Sequence, residues 1–216
     1  MYSTYIFDLD GTLLDTLDDL YLAVNYALRT HHLPERTREE VRAFVGNGVR
    51  MLMIRAIEGG ERHPLFSDAL ATFQQYYLEH SLDHTRPYDG VQEMLHELKA
   101  RGCRLAVVSN KFHTATADLC RHFFPDTVSV AIGEHEAEGI RKKPAPDTVI
   151  EALRKLGVTR ENAVYVGDSD VDIATARNAQ LPCISVLWGF RDRRFLTEHG
   201  ATAFASRPSD LFETCG

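Results

Sequence analysis

Hydrophobic positions along the chain fall into two alternating kinds of run. Short unbroken apolar stretches occur at Tyr5-Ile6-Phe7, Arg104–Ser109, Val128–Ile132, Ala163–Gly167 and Cys183–Leu187. Their length and β-branched content predict strands buried on both faces. Between them the spacing turns helical. Val91, Met94, Leu95 and Leu98 share one face of Val91–Arg101, with Gly102 as the stop. Val149, Ile150, Leu153 and Leu156 do the same in Asp147–Leu156, closed by Gly157. Strands alternating with helices predict an α/β fold: a doubly wound, Rossmann-like parallel sheet.

The segment 15–84 breaks this alternation, because it holds no strand-like run. Thr16-Leu-Asp-Asp19 starts a helix with acids in its first turn, where the dipole favours them. Thr37-Arg-Glu-Glu40 is a capping box ahead of Val41, Phe44 and Val45. Ser67 is placed to cap a helix over Asp68–Glu79, with Leu70, Phe73 and Tyr77 on one side. The expected organisation is a core of residues 1–14 and 85–216, carrying a small helical cap domain of residues 15–84.

Composition narrows the classes. The 216 residues are 44% hydrophobic and 25% charged, enough to bury a core. Lys and Arg number 24 against 31 Asp and Glu, a net charge of −7. That sign excludes non-specific binding to nucleic acid or anionic membranes. No apolar run approaches the roughly 20 residues that span a bilayer. The first basic residue is Arg29, so no secretory signal is expected. Cys103, Cys120, Cys183 and Cys215 have no CxxC spacing. They read as four reduced, buried or idle thiols in a cytoplasmic protein.

Candidate chemistry lies at the strand ends, where open parallel sheets bind ligands. Asp8-Leu-Asp10-Gly-Thr12 follows the first strand. Two carboxylates two residues apart can divide the work of nucleophile and general acid/base. Gly11 permits a sharp turn, whose backbone Thr12 can bond. Ser109-Asn110 ends the second strand with groups able to donate to a phosphate oxygen. Lys142-Lys143-Pro144 sets a point charge on a stiffened segment. Gly167-Asp168-Ser-Asp170-Val-Asp172 follows the fourth strand. Asp172 falls one helical turn after Asp168, on the same face, whereas Asp170 points elsewhere. Carboxylates without His or Cys suit a hard cation such as Mg2+.

In order and placement these four motifs resemble the haloacid dehalogenase-like phosphohydrolase superfamily. Within it the chain is most similar to the phosphoglycolate phosphatase branch, through Phe44-Val-Gly-Asn-Gly-Val-Arg50, Lys143-Pro-Ala-Pro146 and Val186-Leu-Trp-Gly-Phe-Arg191. The resemblance implies a Mg2+-dependent phosphatase acting on a small phosphorylated metabolite. Asp8 would be the nucleophile and Asp10 the acid/base. Ser109, Asn110 and Lys143 would hold the phosphate, with Thr12 beside them. Asp8, Asp168 and the Asp10 carbonyl would bind the metal, with Asp172 in support. The cap, through Gly46-Asn47-Gly48 and with Arg50 either binding a carboxylate or solvated, would set substrate choice. A phosphosugar mutase of the same superfamily is a rival, against which Thr12 speaks. A carbon–halogen hydrolase would need neither Asp10 nor the Asp168 cluster. A non-catalytic phospho-ligand sensor would not need the full set of Asp8, Asp10, Lys143 and Asp168. Monomer and homodimer both stay open.

Overall fold

The structure is a computed structural model that describes residues 2–134, 136 and 139–214, with the side chain of Thr214 excepted; Cys215 lies outside them. The elements in chain order are β1 (Thr4–Phe7), β2 (Leu14–Asp15), α1 (Leu17–Thr30), α2 (Arg38–Phe44), α3 (Val49–Ala56), α4 (Phe66–His80), β3 (Arg86–Pro87), α5 (Val91–Ala100), β4 (Arg104–Phe112), α6 (His113–Phe123), β5 (Val130–Glu134), α7 (Asp147–Leu156), β6 (Ala163–Gly167), α8 (Asp170–Asn178), β7 (Cys183–Val186), α9 (Arg193–Glu198) and β8 (Phe204–Ala205). They form two compact units, residues 1–14 with 87–216, and residues 15–86.

The first unit is built on a six-stranded sheet in the order β5-β4-β1-β6-β7-β8, with every neighbouring pair parallel. Alternation along the buried strands feeds two cores. Tyr5, Phe7, Leu105, Val107, Val164 and Val166 pack with Val91, Met94, Leu95 and Leu98 of α5 and Leu119 of α6. Ile6, Ala106, Val108 and Tyr165 pack on the other face with Val149 and Ala152 of α7 and Ala176 of α8. Helices on both faces explain why these strands read as unbroken apolar runs.

Several boundaries differ from the sequence reading. β4 runs on to Phe112, past Ser109, through a register shift between Val108 and Phe112. β5 starts at Val130 rather than Val128, because the amides of Thr127 and Val128 close a turn on Phe124. β8 is two residues long, too short to show a pattern. In α7, Val149, Ala152, Leu153 and Leu156 face the core, whereas Ile150 is 57% exposed. Ile150 lies about 100° from Val149 around the helix, so it leaves the stripe.

The unit of residues 15–86 is helical. α1 packs on α4, and its core includes Leu20, Val24, Leu28, Val41, Met53, Phe66, Phe73 and Tyr77. Thr37 and Glu40 form the expected capping box. Ser67 is not a cap: α4 begins at Phe66 after Leu65, one residue before Ser67. Arg50 pairs with Glu61, its guanidinium over the Phe66 ring. Asn25 and Arg36 exchange two hydrogen bonds, tying α1 to the strand-less segment before α2. Buried Asp19 accepts from the amides of His84 and Thr85 and from the Thr85 hydroxyl, at 2.7–3.1 Å. This carboxylate braces the two ends of the unit. Among the described residues, no helix is long and apolar enough to cross a membrane.

Asp19→Ala leaves buried donors unpaired and is expected to destabilise the protein by about 2–4 kcal/mol. Urea unfolding followed by circular dichroism measures this; a loss under about 0.5 kcal/mol would show that the brace is idle.

Candidate active site

The chain leaves β1 towards β4 and β5, then returns to β6 and continues to β7 and β8. Neighbouring strands β1 and β6 therefore send their connections to opposite sides, which opens a crevice at their carboxyl ends. Asp8 enters this crevice directly from β1, its amide donating to the Val166 carbonyl at 2.9 Å. Asp168 enters it directly from β6. Backbone pairing thus fixes the two carboxylates side by side.

The turn after Asp8 is tight. The amides of Thr12, Leu13 and Leu14 all donate to the Leu9 carbonyl, and Gly11 takes φ +83°. The Thr12 hydroxyl does not bond this backbone; it points to Asp168 Oδ1 at 3.4 Å. The Thr12 carbonyl instead accepts from Trp188 Nε1 at 2.9 Å.

Lys143 is 3% exposed, and its ammonium lies 2.7 Å from Asp8 Oδ1 and 2.8 Å from Asp172 Oδ1. Asn110 sets its position. The Asn110 side chain accepts from the Lys143 amide at 2.8 Å and donates to its carbonyl at 3.0 Å. Ser109 Oγ accepts from the Lys111 amide at 3.2 Å. Asp10 lies with its Oδ1 3.2 Å from the ammonium of buried Lys111.

Asp172 and Ser169 form a capping box on α8. Asp168 accordingly precedes the helix rather than sharing a face of its first turn with Asp172. Asp172 Oδ2 accepts from the Ser169 amide and hydroxyl at 3.1 and 2.6 Å. Its Oδ1 accepts from Lys143 and from the Tyr165 hydroxyl at 3.0 Å. Four donors fill the acceptor capacity of one carboxylate. Asp168 Oδ2 accepts from the Phe190 amide at 2.7 Å. Asp170 stands at the first position of α8, half-buried.

Besides Gly11, whose Cβ would meet Asp168 Oδ2 at 2.4 Å, two further close approaches at the cluster require glycine. A Cβ on Gly189 would come within 2.3 Å of the Gly11 carbonyl and 2.4 Å of Asp168 Cβ. A Cβ on Gly167 would meet Asp172 at 2.4 Å.

Asp8, Asp168 and Asp172 each offer an oxygen, and these oxygens lie within 4.8 Å of one another. With all three carboxylates ionised and Lys143 among them, the formal charge of the cluster is −2. Burial, then the charge of Asp172, pushes the Asp8 carboxyl well above the usual carboxylate range. The same two causes push Asp168 up to about 7. For Lys143 burial alone would lower the pKa, but Asp172 and Asp8 outweigh it and the net shift is upward. An all-oxygen set with two surplus negative charges fits a divalent cation.

The haloacid dehalogenase-like hydrolase family model matches residues 5–186. The chain belongs to this family. It is 33% identical over 212 residues to a phosphoglycolate phosphatase of Aquifex aeolicus, covering 95% of this chain and 93% of that one. It is 34% identical over 214 residues to a phosphoglycolate phosphatase of Chromobacterium violaceum, covering 96% and 93%. A crystal structure from Lactobacillus delbrueckii subsp. bulgaricus superposes with a TM-score of 0.93 at 36% identity, over 99% of this chain and 98% of that one. That protein is provisionally described as a phosphoglycolate phosphatase. The chain is a phosphoglycolate phosphatase-like hydrolase of the haloacid dehalogenase-like family.

In this hydrolase, two side chains join the site without having been singled out in the sequence. Lys111 reaches it because β4 continues past Ser109. Tyr165 is the one phenol in an otherwise aliphatic strand, three residues before Asp168, and that is its only signal.

The Asp168 shift has a sign that stability can report. Its folded pKa of about 7 lies above the ordinary 3.8. The folded state therefore holds the extra proton, and this contribution is full below about pH 4 and lost as pH rises through 7. In chelator, the melting temperature is expected to fall between about pH 5 and 8, and Asp168→Asn to flatten that slope. An unchanged slope in the variant would trace the pH dependence to other groups.

Proposed function

We propose that this hydrolase is a Mg2+-dependent phosphatase that cleaves a small, phosphoglycolate-like monoester through an aspartyl-phosphate. The observation that carries the reading is Asp8: a buried carboxylate at the crevice of the sheet, held by an ammonium and beside Asp168. The full-length similarity to proteins named phosphoglycolate phosphatase supports the substrate class.

Asp8 and Asp168 would hold Mg2+ with the Asp10 carbonyl, and Asp172, already saturated, would support them by fixing Lys143. The metal supplies the positive charge that lets a carboxylate approach a phosphate dianion. Asp8 forms a bond to phosphorus as the ester P–O bond breaks. Asp10 gives its proton to the departing alcohol oxygen. It then takes a proton from the water that attacks phosphorus, which frees Asp8 and releases phosphate. Ser109 and the Lys143 ammonium, exchanging its contact with Asp8 for one with the ester, would hold the non-bridging oxygens, and Asn110 would act beside them by fixing the Lys143 backbone. Thr12 would act through Asp168. Residues 15–84 would be the cap that selects the ester. The reaction would take place in the cytoplasm.

Phosphate release from a panel of phosphoglycolate, hexose phosphates, nucleotides and pyrophosphate tests this. Release is expected to need Mg2+, to stop on chelation and to fall by about 1,000-fold or more in Asp8→Asn. Activity surviving exhaustive chelation would sink the reading. Isomerisation of a sugar phosphate without release would make the protein a mutase.

A further inference from the structure

We propose that Tyr165 is a positioning residue for this reaction, its hydroxyl fixing Lys143 and Asp172 relative to the nucleophile. The inference rests on the phosphatase reading above.

An ammonium has three donors and no acceptor. All three of Lys143 have partners: Asp8 Oδ1 at 2.7 Å, Asp172 Oδ1 at 2.8 Å and the Tyr165 oxygen at 3.1 Å. The Tyr165 hydroxyl lies 3.0 Å from Asp172 Oδ1. Only one arrangement of protons satisfies this triangle. Lys143 cannot accept, so the phenol accepts from Lys143 and gives its single proton to Asp172. Three groups from β6, the segment before α7 and the first turn of α8 thereby close a ring.

Tyr165 suits this task better than a more flexible residue would. Its side chain is wholly buried, with the ring in the apolar layer beside Ile6, Val149 and Ala176. Packing on both sides leaves the oxygen a fixed point where the hydrophobic layer meets the charged one. Lys143 has a four-carbon stem and would otherwise have two anchors for three protons. The phenol is also a neutral acceptor. Burial, then Asp172 and Asp8, holds its pKa well above the ordinary range, so it adds no charge to the cluster. A carboxylate in its place would add one.

The test is Tyr165→Phe, assayed with saturating Mg2+ on the best ester of the panel. The ring and its packing stay, and only the oxygen goes. We expect kcat to fall between about 5- and 30-fold, the range of one hydrogen bond to a charged group, with KM within about twofold. The same change made in an Asp172→Ala background, where no oxygen is left to accept from the phenol, is expected to cost less than about twofold, because the ring is already open. An unchanged kcat, a full additive loss in the double variant, or a Tyr165→Phe protein without native near-UV circular dichroism would each overturn the proposal. If wild-type protein shows no Mg2+-dependent release sensitive to Asp8→Asn, the phosphatase reading fails first. Release with a wild-type kcat in Tyr165→Phe sinks the positioning role alone.

Discussion

Three carboxylates within one buried cluster repel each other, and a protein interior screens that repulsion poorly. The Lys143 ammonium, between Asp8 and Asp172, is what allows the cluster to exist. It offsets one of three charges and leaves two. The consequence shows in the acids themselves: Asp8 is held well above the usual range, and Asp168 sits near 7. Such groups are poised to give up protons to a cation. The electrostatic demand for a divalent metal is therefore written into the protein before any substrate arrives. Asp10 is kept apart from this balance by its own cation, Lys111, on the neighbouring strand.

Backbone geometry, more than side-chain choice, keeps the cluster from relaxing. Asp8 and Asp168 project from paired strands, so their spacing follows the sheet. Gly189 lies so close that its Cα hydrogen occupies space a methyl would need. The Phe190 amide and the Trp188 indole, in the segment after β7, then hold Asp168 and the Thr12 carbonyl. Acids that repel one another would drift apart in a softer setting. Here the polar contacts and the close glycine packing oppose that drift together.

Much of this arrangement was legible in the sequence, and what was missed follows a physical rule. Asp8 and Asp168 were readable because each directly follows an apolar strand. Lys143 stood out through its proline, and the doubly wound sheet followed from strands without polar alternation. Asp172 reads in the sequence as sharing a face of the first helical turn with Asp168, but its capping box with Ser169 leaves Asp168 outside the helix. Tyr165 and Lys111 escaped because alternation tells which face a side chain leaves, not how far a long one reaches. Ile150 and Ser67 escaped because one residue of helical phase or boundary moves a side chain from core to solvent, or a cap into a first turn.

The central place of β1 in the sheet bears on how the molecule comes to exist. β1 precedes both of its neighbours, β4 and β6, by a long stretch of chain, with Thr4 aligned to Arg104 on one side and to Ala163 on the other. The pairings that build the crevice are as distant: Lys143 lies 135 residues from Asp8, and Thr12 lies 156 from Asp168. Closing such long loops is the slow part of folding. The helical unit of residues 15–86, held by contacts local to itself, leaves the ribosome complete while β1 still has no partner. Asp8 stays an ordinary aspartate until the chain has passed position 172.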